Sequence, residues 1–268
     1  MSTSEILQKR QIFISLLRKK EGKVRLAVNV DHIATLREAR RSDEPDPVFA
    51  ALLAEQAGAS GIVCHIRGDG RHIKQRDLQL LRKTIKTKLI LEMAAAEDRK
   101  KLAIEIKPDI VSLVPEQPGE LTTEGGLDVI SQEEHLKPFI QDLKNAGMKV
   151  SIFVDPNLMQ IDACMRAGVN MIEINTGIYS DLKPGKERTK ALDEIIMAAK
   201  YGHKSGLKIH AGHGLDYRNI GPVAEIPEII EFSIGFSIIA KAAIVGIEKA
   251  VREMINMIEK NSRLSNRK

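Results

Sequence analysis

The fold is decided by the stretch Leu26-Ala27-Val28-Asn29-Val30-Asp31-His32, which alternates between two kinds of side chain. Leu26, Val28 and Val30 share one face of a predicted strand, whereas Asn29 and Asp31 share the other face. Seven later segments have the same form, with Leu or β-branched residues on one parity and a polar residue near the end of the other. Parallel strands of this kind, each followed by a helix, predict an α/β fold: a single (β/α)8 TIM barrel whose polar strand ends meet at one rim.

The rest of the chain supplies the eight strand and helix pairs that a closed barrel requires. The strands are predicted at 24–30, 61–66, 88–92, 109–114, 149–154, 170–175, 207–211 and 229–234. Helices are predicted at 46–57, 75–86, 97–107, 132–146, 157–167, 188–204, 217–224 and 238–258, and the basic segment 37–41 is placed in a loop. The longest irregular stretch, 115–130, is read as a binding loop or lid, with a mobile surface excursion as the alternative.

Length and composition favour one domain. The 268 residues, 43% of them hydrophobic, can bury one full barrel core. Residues 1–22 place a short apolar run among charged residues and are expected to form a helical extension. Residues 23–259 are expected to form the catalytic barrel, and residues 260–268 a basic C-terminal tail.

Several classes of protein are excluded by composition. The net charge is +5, but the chain has no Trp and few other aromatic residues, so nucleic acid is not an expected partner. No apolar run approaches the roughly 18 residues that span a bilayer, and the N-terminus lacks the order of a signal peptide. Cys64 and Cys164 lie in apolar segments without metal-motif spacing, which predicts reduced thiols and a cytoplasmic protein.

The inward parity of the strands gives a set of candidate rim residues. They are Asn29, Asp31, His65, Arg67, Glu92, Asp155, Glu173, Asn175, His210, Ser233 and Gly235, with His213 in the turn after the seventh strand. Burying so many polar groups without partners or a ligand would be costly, so their convergence indicates a functional site. Imidazoles titrate near neutrality, and enclosed carboxyls can have raised pKa values. We therefore expect His65, His213, Glu92 and Glu173 to transfer protons.

Anion binding is the second expected activity of this rim. The segments Gly212-His213-Gly214 and Ser233-Ile234-Gly235-Phe236 follow strands seven and eight, where barrels frequently bind phosphate. Arg67 with His72 forms a second cationic corner, and Arg37 with Arg40 a third. Separate anion sites predict either a bisphosphate or two phosphorylated substrates.

Two other chemistries stay open at this point. A divalent metal on His65, Glu92, Asp155 and His210 would suit a sugar-phosphate epimerase or aldolase, although no local ligand spacing supports it. A Schiff-base lysine is disfavoured because Lys88 and Lys149 begin their strands, which leaves only Lys208 with inward parity. A non-catalytic phosphometabolite-binding regulator is the alternative outside enzymes.

A resemblance to one family narrows these possibilities. Seven segments between residues 24 and 258 closely resemble those of the pyridoxine 5′-phosphate synthase family: 28–37, 65–67 with 71–73, 91–93, 114–116, 122–128, 172–174 and 211–215. The resemblance implies a homo-octameric (β/α)8 barrel that condenses 3-amino-2-oxopropyl phosphate with 1-deoxy-D-xylulose 5-phosphate. The products would be pyridoxine 5′-phosphate, inorganic phosphate and water. It implies no metal and no organic cofactor, since the substrate amine itself forms the imine.

The resemblance also implies roles for individual residues. His65 and Glu92 would be proton acceptors, His213 the proton donor, and Glu173 the residue that stabilises the transition state. The aminooxopropyl phosphate would be bound by Asn29, Arg40, Gly214 and Gly235, together with Phe236. The deoxyxylulose phosphate would be bound by Asp31, His32, Arg67, His72 and Thr122.

The chain departs from the family pattern at three positions. Phe236 replaces a common His, so the contact with an imidazole at that position is lost. Asn175 and His210 stand where the family has His and Asn, respectively. We interpret this pair as a reciprocal exchange that keeps one imidazole and one amide in the same region of the rim.

Overall fold

The barrel is confirmed by the computed structural model, which describes residues 24–116 and 125–264. Neighbouring strands pair in parallel around the whole ring, and the last strand returns to pair with the first. The strands are β1 (Arg25–Asn29), β2 (Gly61–His65), β3 (Lys88–Met93), β4 (Ile110–Leu113), β5 (Lys149–Val154), β6 (Met171–Asn175), β7 (Lys208–Gly212) and β8 (Ile229–Ile234). The predicted N-terminal helix and Thr122 lie outside the described residues.

Eleven helices are present in the described part of the chain, and most of them cover the outside of the barrel. They are α1 (Asp31–Arg40), α2 (Pro47–Gln56), α3 (Gln75–Thr84), α4 (Glu97–Ile106), α5 (Val129–Asn145), α6 (Leu158–Arg166), α7 (Gly177–Asp181), α8 (Lys186–Lys204), α9 (Ile220–Ala224), α10 (Phe236–Val245) and α11 (Ile247–Leu264). None of these helices combines the length and the apolar character that a bilayer crossing needs.

Two local predictions are wrong. The sequence predicts a loop over 37–41, but α1 continues through Arg40. Asp31 lies in its first turn and Arg37 in its last, and both charges complement the helix dipole. The single C-terminal helix predicted at 238–258 is divided at Gly246, whose φ of 85° interrupts the helix, and α11 then extends to Leu264.

The alternation read from the sequence corresponds to two separate apolar cores. Val28, Val30 and their counterparts pack between the sheet and the helices. A smaller cluster fills the inside of the barrel and consists of Ala27, Val63, Ile90, Ile110 and Met171. Two residues after each member, on the same face, comes a polar inward residue: Asn29, His65, Glu92, Ser112 and Glu173. The apolar cluster therefore closes the barrel beneath the rim that carries the candidate site.

The opposite end of the barrel contains an ionic cluster. Glu231 is almost fully buried, and its carboxylate pairs with Lys88 and, at 3.0 Å, with Nε of Arg25. Lys88 is the first residue of β3, and Lys208, the first residue of β7, is exposed. Neither lysine is placed to form a Schiff base with a substrate at the rim.

Candidate active site

The rim is organised around Asp31, the residue at which β1 gives way to α1. The side chain of Asn29 donates to Asp31 Oδ2 at 2.9 Å, and the Asp31 backbone N–H donates to Asn29 Oδ1 at 2.8 Å. Asp31 Oδ1 accepts the backbone N–H of His65 at 2.8 Å. These bonds hold the end of β1 against β2, where His65 lies beside Glu92 in the register of β2 and β3. Four predicted site residues are thereby brought together.

Two carboxyls at this rim have raised pKa values, those of the buried Glu173 and the half-buried Glu92. Burial raises the pKa of Glu173 to about 8, and the nearby charge of Glu231 acts in the same direction. Burial, with the charges of Glu173 and Asp31, raises the pKa of Glu92 well above its ordinary value. With a pKa of about 8, the Glu173 carboxyl can donate a hydrogen bond when neutral and can exchange protons near pH 7.

The position of Glu173 depends on a glycine in the next strand. A Cβ built on Gly212 would lie 2.2 Å from Glu173 Oε1 and 2.8 Å from the carbonyl oxygen of Ser233. Any larger residue at this position would displace the carboxyl group. Gly212 is therefore part of the site through the space that it leaves empty.

His213 is held in an unusual backbone conformation directly after β7. Its φ is 78°, a left-handed value that a non-glycine residue seldom adopts. The hydroxyl of Thr176 donates to the carbonyl oxygens of Gly212 and His213 at 2.8 and 2.6 Å. A Cβ on Gly177 would come within 2.8 Å of the His213 ring, so the glycine leaves room for the imidazole. These contacts maintain His213 in a backbone conformation that is energetically unfavourable for a non-glycine residue.

Arg67 and His72 form the predicted cationic corner. The Arg67 side chain is only 4% exposed, and its Nε has no hydrogen-bond partner among the described residues. The nearest carboxylate oxygen, on Asp69, is 3.7 Å from Nε. A buried guanidinium with an unpaired Nε–H is suited to an anionic ligand.

The tautomer of His72 follows from its backbone contact. Its Nδ1 accepts the N–H of Ile73 at 2.8 Å, so the proton of the neutral ring is on Nε2. Burial lowers the pKa of His72, outweighing the charge of Asp31. His72 therefore offers a neutral Nε2–H donor beside Arg67.

The third predicted cationic corner, Arg37 with Arg40, is wrong as a joint site. Arg37 is buried and donates two 2.8 Å hydrogen bonds to Asp77, and it also donates to the backbone carbonyl of His72 at 3.1 Å. It supports the loop that carries His72 rather than contacting a ligand. Arg40 is exposed at the end of α1, roughly 14 Å along the helix from Asp31 at 1.5 Å per residue. Arg40 has no hydrogen bond or ion pair with any described residue of the rim, and its contact with substrate stays a prediction.

Gly235 and Phe236 lie where β8 leads into α10, beside β1. A Cβ on Gly235 would lie 3.0 Å from the Asn29 Cβ, so this glycine permits close approach of the two strand ends. Phe236 is 70% exposed, and its ring centroid is 5.5 Å from that of His32. Burial lowers the pKa of His32, whose Nδ1 has no partner in the part of the chain that is described. His32 and Phe236 together form one wall of the rim.

The proposed metal set of His65, Glu92, Asp155 and His210 is not brought together. Asp155 instead accepts hydrogen bonds from Asn175 Nδ2 and the Gly126 N–H, at 2.8 and 2.9 Å. His210 lies deeper, with Nδ1 3.8 Å from the Glu231 carboxylate.

A different group of possible metal ligands lies at the ends of β1, β2 and β3. Among the described residues, one metal-sized group occurs, in which Asp31, His65 and Glu92 each offer an atom within 4.8 Å of the others. Both Asp31 oxygens and one His65 nitrogen already have hydrogen-bond partners, so a metal would have to compete for them.

The register of β6 and β7 bears on the predicted exchange of Asn175 and His210. Asn175 lies opposite Gly212, whereas His210 lies opposite Glu173, one inward step deeper in the barrel. The two side chains thus belong to different layers with different partners. A functional exchange between them stays a prediction.

Sequence reasoning missed two acids that bear on this site, the half-buried Glu116 and the buried Glu231. Glu116 accepts a hydrogen bond from His65, but it lies in a loop, where strand parity gives no signal. The charge of Glu231 raises the pKa of Glu173. Glu231 has inward parity in β8, and this parity could have identified it from the sequence.

A barrel rim that combines two carboxyls of raised pKa, several imidazoles and a buried arginine fits an enzyme that performs acid–base chemistry. Comparison with known proteins narrows this class. The family model of the pyridoxal phosphate biosynthesis protein PdxJ matches residues 26–260. The chain belongs to this PdxJ family.

Individual relatives agree with the family model. Pyridoxine 5′-phosphate synthase of Chlorobium luteolum is 54% identical over 235 residues, which is 88% of this chain and 100% of the relative. The enzyme of the same name from Syntrophotalea carbinolica is 53% identical over 233 residues, covering 87% and 98% of the two chains. A thiamine phosphate pyrophosphorylase from Pyrococcus furiosus shares the fold, with a TM-score of 0.57, 15% identity, and coverage of 90% and 98%.

Proposed function

We propose that this rim condenses 3-amino-2-oxopropyl phosphate with 1-deoxy-D-xylulose 5-phosphate by acid–base catalysis from its own side chains. The chain synthesises pyridoxine 5′-phosphate, because it belongs to the PdxJ family over nearly its whole length. The observation that supports the chemistry is the grouping of His65 and Asp31 with two carboxyls of raised pKa, Glu92 and Glu173.

The reaction needs proton transfer at every stage. The amine of one substrate attacks a carbonyl of the other, water leaves as the imine forms, and further water and inorganic phosphate leave as the ring closes. We assign proton acceptance to His65 and Glu92, and proton donation to leaving oxygens to His213. Glu173, neutral at pH 7, donates a hydrogen bond to the oxygen on which negative charge develops.

Substrate binding divides between two sides of the rim. We assign the deoxyxylulose phosphate to Asp31, His32, Arg67 and His72, and also to Thr122. The buried Arg67 guanidinium and the His72 Nε2–H supply the charge and the donor that a phosphate requires. We assign the aminooxopropyl phosphate to the adjoining side, which comprises Asn29, Gly214, Gly235 and Phe236, with Arg40 as a further predicted contact. Backbone N–H groups at the start of α10 are suited to its phosphate.

The assembly and the compartment are also part of this proposal. Family resemblance supports a homo-octamer, and light scattering on the purified chain tests it. The buried free thiols Cys64 and Cys164 support a reducing compartment, the cytoplasm. No metal or organic cofactor has a role in the proposed steps.

The assignment of roles is tested by measuring kcat and KM for both substrates in single variants. His65→Ala and Glu92→Gln should each lower kcat by about 10²–10⁴-fold, the usual contribution of a positioned proton carrier. Arg263→Ala, at an exposed position on α11, is the matched control and should leave both constants unchanged. Wild-type kcat in both rim variants would overturn the assignment.

A further inference from the structure

Glu116 is a half-buried acid that takes no part in strand pairing and is not among the substrate-binding residues assigned above. It follows β4 and belongs to no helix or strand. Its Oε1 lies 2.9 Å from Nε2 of His65, and its Oε2 accepts the backbone N–H of Gly68 at 2.8 Å. The side chain is 15% exposed. One carboxylate thus joins the loop after β2 to the segment after β4 and contacts an imidazole of the rim.

These contacts determine which nitrogen of His65 is free. Burial would raise the pKa of Glu116, but the hydrogen bonds from His65 and from the Gly68 N–H together outweigh it and lower the pKa. An ionised carboxylate only accepts hydrogen bonds, so Nε2 of His65 must carry the proton. The lone pair of the neutral ring is then on Nδ1.

We propose that Glu116 is a positioning residue that fixes His65 in its Nε2–H tautomer and orients the ring so that Nδ1 accepts the substrate proton. The inference rests on the proposed role of His65 as a proton acceptor. A carboxylate that orients a catalytic imidazole in this way also stabilises the imidazolium formed when the proton arrives.

A purely structural clamp between the two loops is the alternative explanation. The isosteric change Glu116→Gln distinguishes the two, because two donors, Gly68 N–H and His65 Nε2–H, converge on this side chain. The amide of Gln has one acceptor oxygen. If that oxygen retains Gly68, its NH₂ group faces His65 Nε2, and the imidazole must move its proton to Nδ1 to accept.

The first readout is the tautomer itself, measured by long-range ¹H–¹⁵N spectra of ¹⁵N-histidine protein at about pH 8, where an unperturbed imidazole is neutral. The His65 signal is assigned by its loss in His65→Ala. We expect Nε2–H in the wild type and Nδ1–H in Glu116→Gln. Glu116→Asp, which keeps the carboxylate, should restore Nε2–H. Glu133→Gln, at a carboxylate that pairs with Arg166 on the outer surface, is the matched control and should change nothing.

The second readout is the division of the effect between kcat and KM. Glu116→Gln should lower kcat by about 10²-fold or more, since an unprotonated Nδ1 is lost, while KM stays within about threefold. An Nδ1–H tautomer in the wild type, or an unchanged tautomer in Glu116→Gln, would overturn the proposal. A tautomer that switches while kcat is unchanged would support the positioning by Glu116 and overturn the role of His65 as proton acceptor. The two failures are therefore distinguishable.

Discussion

Replacing Gly212 with Ala tests whether the empty space beside Glu173 is part of the site. The added Cβ would lie 2.2 Å from Glu173 Oε1, 2.8 Å from the Ser233 carbonyl oxygen and 3.2 Å from the Ser233 Cβ. Real Cβ atoms do not approach closer than 3.0 Å, so the carboxyl must move by about 1 Å. The backbone at Gly212 is not left-handed, so the effect is steric.

Gly212→Ala should affect both the rate of catalysis and the stability of the fold. A displacement of about 1 Å at a reacting group costs about 100-fold in rate, so we expect kcat/KM of Gly212→Ala to fall by about that factor. Overpacking a core costs about 1–3 kcal/mol of unfolding free energy, which lowers the Tm of a chain this size by about 2–12 °C. Steady-state kinetics and thermal unfolding of the same preparation measure both.

The control is Gly221→Ala on α9, where the new Cβ would meet Asn261 at an ordinary 3.5 Å. It should leave kcat/KM and Tm close to the wild type. In a Glu173→Ala background the carboxyl is absent, so the Gly212→Ala penalty in Tm should shrink, while the contact with Ser233 keeps part of it. A folded Gly212→Ala enzyme with kcat/KM within threefold of the wild type would refute the reasoning.

Three further predictions follow from buried charges. Arg67→Ala should raise the Kd for 1-deoxy-D-xylulose 5-phosphate by about 10-fold or more in calorimetric titrations, because a charge-assisted hydrogen bond to the phosphate is lost. An unchanged Kd would show that Arg67 does not bind the phosphate. Arg37→Ala leaves Asp77 buried without its bidentate partner and should lower the free energy of unfolding in urea by about 3–5 kcal/mol. The control, Arg166→Ala at the surface pair with Glu133, should lower it by at most about 1 kcal/mol. Equal losses in the two variants would contradict the difference in burial. Glu173 has a folded-state pKa of about 8, so the folded chain binds more protons than the unfolded chain between about pH 4.5 and 8, and the stability contributed by this carboxyl falls as pH rises through that window. Glu173→Gln should therefore flatten the decline of Tm with pH. An unchanged pH profile of Tm would argue against the raised pKa.

The barrel and most of its rim could be predicted from sequence because strand parity is a local property. In β1 to β3, each polar inward residue follows an apolar one by two positions, as Asn29 follows Ala27 and Glu92 follows Ile90. Parity alone thus identified both the interior face and the end of the strand that bears the site.

The errors arose where distant residues decide the outcome. The sequence predicts Arg37 as a ligand contact, but its partner Asp77 is 40 residues away, and only the fold reveals the pair. Glu116 was missed as a partner of His65 for the same reason, since the two are 51 residues apart and Glu116 follows no strand or helix period. The space that Gly212 leaves for Glu173 depends on the packing of neighbouring strands, which composition does not encode.

The central claim is that the rim closes the pyridine ring without a metal or organic cofactor. The most direct measurement incubates chelator-treated protein with freshly generated 3-amino-2-oxopropyl phosphate and 1-deoxy-D-xylulose 5-phosphate, and follows pyridoxine 5′-phosphate and inorganic phosphate together. We expect both to appear at the same rate, in equal amounts, at the activity of the untreated enzyme. Loss of product formation on chelation, restored by a divalent metal at Asp31, His65 and Glu92, would contradict the account.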